Sequence, residues 1–233
     1  MFSYIYMRIL ESQPECYDRG IALLSLGHSE RIKRRLVDDN VRRSFKVLEI
    51  GCGTGTMSIL AAQRGAHVLG FDVSHAMIEI AQRKTAAAGL SEAVDVMEMG
   101  VSGMGRLAEN SLDLVMSTLV FSELSRDERA YALRQSYRIL KPGGRIAIAD
   151  ETRPRGIGKR LLHGAVRIPL LLITFVLTQR ATKAVEGLPE LVAETGFRID
   201  IEERRFLGSF LYLVATKQST PWALASPWAL AST

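Results

Sequence analysis

The stretch Val47-Leu48-Glu49-Ile50-Gly51-Cys52-Gly53-Thr54-Gly55 restricts the possible folds more than any other in the chain. It reads as a buried strand, a glycine-rich turn and the start of a helix. Asp72 then ends the next apolar run, His67 to Asp72. A strand, a glycine turn, a helix and an acid closing the following strand make a unit that holds a nucleoside-type cofactor at the edge of a parallel sheet.

The chain extends the same pattern. Lys46 to Ile50 is expected as a first strand and Thr56 to Arg64 as its helix. His67 to Asp72 is a second strand; Ser74 is placed to cap a helix running to about Ala88, and Gly89 to end it. Val94 to Met99 is a third strand, followed by a glycine-containing loop through Gly103 and Gly105; Leu112 to Ser117 is a fourth. Asp127 to Leu140 carries its apolar positions on one helix face and stops at Lys141-Pro142-Gly143-Gly144, before a fifth strand, Arg145 to Asp150. Strands that are apolar almost throughout, alternating with helices, imply a parallel sheet covered on both faces.

The alternation breaks at residues 151–185, a basic and very apolar insertion. After it, Leu188 to Glu194 reads as a helix, and Phe197 to Arg205 and Phe210 to Thr216 as strands joined through Gly208, which makes an edge hairpin. The expected division is a helical cap at 1–44, a main domain at 45–216 and a disordered tail at 217–233. The tail repeats Pro221-Trp222-Ala223-Leu224-Ala225-Ser226 as Pro227-Trp228-Ala229-Leu230-Ala231-Ser232, too few copies for a repeat fold. A partner-binding or membrane-touching tail is the alternative.

With 233 residues, 47% of them hydrophobic and 24% charged, the composition is ordinary for a globular chain with one well-buried core. A net charge of +5 permits contact with anionic lipid or acidic substrates. No basic run with interleaved aromatics stands out, so no nucleic-acid partner is expected. Cys16 and Cys52 offer neither a disulfide framework nor metal-ligand spacing, and no metal is expected; Cys52 reads as packing. The N-terminus lacks the pattern of a secretory signal, which makes a cytoplasmic location the expectation.

Dinucleotide sites use G-x-G-x-x-G, with the pyrophosphate on the helix N-terminus. Here Glu49 precedes Gly51-x-Gly53-x-Gly55, and a carboxylate just before the turn repels a pyrophosphate. It suits a ligand carrying an ammonium group, while the glycines let the backbone pass beside that ligand without side-chain clash. S-adenosylmethionine (SAM) has such an ammonium. It also has a ribose whose hydroxyls need an acceptor, the role for which Asp72 is placed.

These residues give the chain a resemblance to the class I SAM-dependent methyltransferases. Glu49-x-Gly51-x-Gly53-x-Gly55 matches the family's first motif, and Gly70-Phe71-Asp72-Val73-Ser74 its second-strand motif. Ser111-Leu112-Asp113-Leu114-Val115, Leu140-Lys141-Pro142-Gly143-Gly144 and Gly196-Phe197 match later landmarks, in family order over roughly 45–216. The subgroup it is most similar to is that of ubiquinone and menaquinone biosynthesis. Tyr4-Ile5-Tyr6-Met7-Arg8-Ile9-Leu10-Glu11-Ser12 through Tyr17-Asp18-Arg19-Gly20 also resembles the opening of the corrinoid-protein-associated methyltransferases, which makes a corrinoid protein a candidate partner.

The resemblance implies an α/β fold with a Rossmann-like, seven-stranded, mostly parallel sheet, helices on both faces and an edge hairpin. It implies SAM as cofactor, contacted by Glu49, Gly51, Cys52, Gly53, Thr54, Gly55, Asp72, Val73, Met77, Val101, Ser102 and Ser117. One position departs from the family: the usual acidic residue after the third strand aligns with Val101, so a backbone group or Ser102 must serve the adenine. Tyr6 and Tyr17 are candidates to close over SAM, with packing the equal alternative.

Methyl transfer from a sulfonium is an in-line displacement, so proximity and orientation supply most of the acceleration. A base is needed only if the acceptor must lose a proton. The candidates are Glu123, where many relatives carry histidine, and Asp150 at the end of the fifth strand. The alternatives are a charge flanking the next helix and an ordinary strand end. His163 reads as a packing or surface histidine. The insertion has three readings: a core-packing lid or dimer contact, a pocket for a lipophilic acceptor, or a membrane-surface contact through 160–180.

Overall fold

The computed structural model describes residues 28–152, 185–205, 208 and 210–218. Seven strands among them form one sheet: β1 (Lys46–Ile50), β2 (His67–Asp72), β3 (Val94–Glu98), β4 (Leu112–Thr118), β5 (Leu140–Glu151), β6 (Phe197–Arg205) and β7 (Phe210–Lys217). The order across the sheet is β3-β2-β1-β4-β5-β7-β6. The first five strands pair in parallel, and β7 runs antiparallel to both β5 and β6. β1 lies between β2 and β4, so the strand order reverses there, and a crevice opens at the carboxyl ends of β1 and β4.

Successive strand residues point to opposite faces, and both faces are apolar here. Val47, Val68, Val96, Leu114, Met116 and Ala147 pack with Leu36 and Val37 of α1 (His28–Asn40), Met57 and Ala61 of α2 (Thr56–Gln63), and Ile78 and Ala81 of α3 (His75–Ala87). Leu48, Ile50, Val115, Ile146, Ile148 and Leu213 face the other way, onto Leu133 and Ile139 of α4 (Arg126–Ile139) and Leu188 and Val192 of α5 (Leu188–Glu194). This double burial explains why the strands read as nearly unbroken apolar runs.

Local chemistry sets the boundaries. Ser74 caps α3 by accepting a hydrogen bond from the Met77 amide. Ser125 and Glu128 form a reciprocal capping box that starts α4 at Arg126, one residue earlier than the sequence pattern suggests. Two elements differ more. The glycine-containing loop after β3 is a 3-10 turn, Val101–Arg106, in which a Cβ at Gly103 would meet the Met99 Cγ and Sδ at 2.4 Å. The turn expected at Lys141 to Gly144 lies inside β5: pairing with β4 jumps from Leu112↔Leu140 to Leu114↔Arg145, and the bulge absorbs the Pro-Gly-Gly sequence.

Helix α1 is tied to the hairpin. The Arg35 guanidinium donates to both Glu203 oxygens at 2.8 and 2.7 Å and lies 4.4 Å from the Tyr212 ring centre. Asn40 Nδ2 donates to the Leu36 carbonyl and to the Tyr212 hydroxyl, which in turn donates to Asp39. Residues 1–27, 153–184 and 219–233, which hold Tyr6, Tyr17, most of the insertion and the duplicated tail, lie outside the described residues.

Candidate active site

The chain leaves β1 through Gly51, Gly53 and Gly55, whose φ angles are +68, +51 and +74. L-residues rarely adopt this region, so a side chain here adds strain. At Gly51 it also meets a wall, because a Cβ would lie 2.3 Å from Val120 Cγ2. Two hydrogen bonds fix the turn to β2: the Cys52 amide donates to the Phe71 carbonyl, and the Gly53 amide to Asp72 Oδ2, both at 2.9 Å. Gly55 is the N-cap of α2 and provides no side-chain cap. Lys84 of α3 reaches Thr56 Oγ1 at 2.9 Å and Thr54 Oγ1 at 3.4 Å, so Thr54 is buried and held from below.

Under the turn sits a tight polar cluster. Glu49 is 3% exposed, and its carboxylate accepts a hydrogen bond from the Ser58 hydroxyl of α2. Burial pushes its pKa up to about 7; the Ser58 hydrogen bond and Lys33 of α1 pull in the opposite direction. Gly70 of β2 is where this cluster closes, since a Cβ there would be 3.0 Å from Cys52 Cβ and 3.1 Å from Ser58 Oγ. Burial, with Glu49 and Asp72 nearby, raises the Cys52 thiol well above its ordinary value, so it stays a neutral packing group.

Asp72 is half-buried at the end of β2. Its Oδ2 takes the Gly53 amide and its Oδ1 the Ser74 amide at 3.0 Å, so among the described residues the carboxylate is oriented by backbone amides. Val73 follows, 75% exposed, and its Cγ1 is 3.6 Å from where a Cβ of Gly100 would stand. Met77 is buried beneath it in α3. Val101 packs partly into the core, while Ser102 is exposed and its carbonyl accepts from the Tyr131 hydroxyl at 3.3 Å. Val73, Gly100 and Ser102 therefore stand together just beyond the ends of β2 and β3.

The other side is built by the chain leaving β4. Ser117 is fully buried and donates to the Ile50 carbonyl at 3.2 Å, locking β4 to β1 rather than pointing into open space. Leu119 has φ +59, an outlier for a bulky residue, and is 38% exposed; its amide donates to the Ala149 carbonyl at 2.9 Å. Val120 then covers Gly51, and its carbonyl accepts from the Glu123 and Leu124 amides. Glu123 is exposed on this turn. Asp150 is not exposed at all: Oδ2 accepts from the Ser122 amide at 3.3 Å and Oδ1 from the Glu151 amide at 2.7 Å. Burial raises its pKa to about 6, against the pull of the Ser122 hydroxyl and nearby amides. A carboxylate so enclosed suits holding the turn rather than taking a proton from an acceptor. Sequence reasoning missed Ser58 and, although it places the segment after the fourth strand at the acceptor, did not single out Leu119 or Val120; no local motif marks them, because their partners arrive from other elements.

Residues 47–144 match the family described as "Methyltransferase domain". This stretch is a class I, SAM-dependent methyltransferase domain. The ubiquinone/menaquinone biosynthesis C-methyltransferase of Pseudoalteromonas translucida is 32% identical over 143 residues, 59% of this chain and 55% of that protein. A demethylmenaquinone methyltransferase of Thermus thermophilus is 33% identical over 141 residues, 59% of this chain and 62% of that protein. The chain thus spans somewhat over half the length of these curated relatives. Among solved structures, a TehB-like SAM-dependent methyltransferase from Corynebacterium glutamicum superposes with a TM-score of 0.63 at 20% identity, covering 91% of this chain and all of that one, which shows a shared fold. Among the described residues no group of three potential metal ligands occurs, and no helix is long and apolar enough to cross a membrane.

Proposed function

We propose that this chain transfers the methyl group of SAM to a ring carbon of a small, lipophilic aromatic acceptor of the hydroquinone or phenol class. The observation that carries the reading is the glycine turn at positive φ, whose Gly53 amide is held by the Asp72 carboxylate. In this reading Asp72 accepts from the ribose hydroxyls through its remaining lone pairs, and Glu49 faces the ammonium. Val73 covers one face of the adenine, and the backbone at Gly100 to Ser102 serves its edge. The Cys52, Thr54 and Gly55 backbone lies along the methionine part, with Met77 and Ser117 supporting from beneath.

The acceptor class draws on the relatives, one named a ubiquinone/menaquinone biosynthesis C-methyltransferase and another a demethylmenaquinone methyltransferase. It also draws on the surface, since Val73 and Leu119 are the exposed large hydrophobic residues among those described and flank the crevice. An electron-rich ring carbon attacks the methyl in line with the carbon–sulfur bond. A carbon–carbon bond forms, the electron pair of the broken bond returns to sulfur, and the ring then loses its proton. Glu123, exposed on the turn after β4, is the carboxylate placed to receive it. The turn and the glycine loop contribute chiefly by alignment. The corrinoid-protein alternative rests on Val101, on the apolar insertion and on residues 4–20; the last, like residues 160–180 and any membrane contact they make, lie outside the described residues.

Incubation with methyl-labelled SAM and a demethylated naphthohydroquinone tests the reading. The expected result is label on a ring carbon together with S-adenosylhomocysteine. SAM binding without transfer to any aromatic acceptor would remove it.

A further inference from the structure

Asp150 is a buried carboxylate with no cation paired to it among the described residues: its oxygens accept from the Ser122 and Glu151 amides. Keeping such a charge out of water is costly, and an apolar residue or a neutral amide in its place costs less. One oxygen stays with its own strand, on the Glu151 amide, and the other leaves it for the turn after β4. β5 ends beside β4, and the carboxylate reaches across to the amide of Ser122, in the turn that follows β4.

That turn has an unusual shape. It begins with Leu119 at φ +59, tied to Ala149 one residue before Asp150. It continues with Val120, whose methyl fills the space a Gly51 side chain would take. Phe121 and Ser122 are buried, and the chain then turns back through the Glu123 and Leu124 amides onto the Val120 carbonyl. A bulky residue in the left-handed region persists only where its surroundings impose it. The bonds that impose it here come from the end of β5.

We propose that Asp150 is a positioning residue: its carboxylate holds the 119–124 turn in the shape that presents Leu119 and Glu123 to the acceptor and seats Val120 against the SAM turn. The inference rests on the methyl-transfer reading and adds to it the group that shapes the acceptor side. Asp150 itself touches neither ligand. It acts through Ser122, and the asymmetry matters: the Gly51 turn has its own supports in Asp72 and Phe71, so loosening the 119–124 turn leaves SAM held.

The test is Asp150→Asn in the full chain, which keeps the size but turns one acceptor oxygen into a donor facing an amide. Three readouts are taken: SAM affinity by calorimetry, KM and kcat for the naphthohydroquinone, and residue-resolved amide hydrogen exchange. The expected result is acceptor KM raised about tenfold or more, the effect of one lost charged hydrogen bond, with the SAM Kd within about twofold of wild type. Faster exchange should be confined to 119–124 and 150–152. Asp150→Glu, which retains the charge, should recover part of the acceptor affinity. An unchanged acceptor KM, or SAM affinity falling in parallel with it, would overturn the proposal. If wild type transfers no methyl, the functional reading fails separately; exchange at 119–124 unchanged by Asp150→Asn would then reject the hold on the turn as well.

Discussion

Two carboxylates stand at the ends of neighbouring parts of the sheet and do opposite things. Asp72, half-buried after β2, receives two backbone amides and keeps an open side. Asp150, near the end of β5, is fully enclosed and spends its oxygens on the chain. The cofactor side is shaped by residues that lack something, three glycines at positive φ. The proposed acceptor side is shaped by a residue forced into the same region, Leu119. The first is local and self-supporting; the second is assembled by tertiary contacts. A fold that keeps one cofactor and varies its acceptor benefits from this separation, because the turn after β4 can change without disturbing the glycines.

The comparison breaks hardest at Gly51, where the two sides touch. Gly51→Ala adds strain at φ +68 and drives a Cβ toward Val120 Cγ2, so it should damage both sides at once. The expected loss is about 3 kcal/mol or more in urea unfolding, with SAM affinity reduced on the order of a hundredfold. Intact affinity would mean that the two sides do not meet there.

The buried charge gives the next largest effect. Between about pH 4 and 6 the folded protein keeps a proton on Asp150 that the unfolded chain has lost, because its pKa rises from 3.8 to about 6. Ionisation in the folded state is therefore disfavoured, and this group's contribution to stability falls as pH rises through that window. Subtracting the stability of Asp150→Asn isolates it: the wild-type advantage should shrink by about 2 kcal/mol from pH 4 to pH 7. A flat difference would show that the carboxylate is solvated.

Glu49 gives a smaller and different signature, since its pKa of about 7 is set in the protein without ligand. A SAM ammonium beside it favours the ionised form, so binding should release a proton. Affinity should weaken about fivefold from pH 7 to pH 6 and approach about tenfold per unit below that. Calorimetry in buffers of different ionisation heat measures this directly, and Glu49→Gln should abolish the pH slope. The smallest change expected is from Gly70→Ala, which presses on Cys52 and Ser58 at 3.0 to 3.1 Å. It should cost about 1 kcal/mol in stability, weaken SAM less than tenfold and leave acceptor KM unchanged.

What could be read from the sequence follows the same division. β1, β2 and α5 have the bounds their periodicity and flanking residues indicate, and Ser74 caps α3 as its position suggests. The glycine turn and Asp72 are equally legible, because backbone freedom and a lone acid are written in consecutive residues. The 119–124 turn is not. Nothing in Ser117 to Leu124 announces a left-handed leucine; it follows from the ladder bond to Ala149 and from the carboxylate two elements away. Glu49 shows the limit from the other side: its place before the turn marks it as ligand-facing, whereas its burial and its hydrogen bond from Ser58 depend on α2 folding back over β1.

Titration of SAM into the wild type and into Asp72→Ala is the most direct test of the account. One SAM should bind per wild-type chain, and Asp72→Ala should bind at least about tenfold more weakly, as expected for losing a charged acceptor of the ribose hydroxyls. No binding by the wild type, or equal binding by the two, would contradict it.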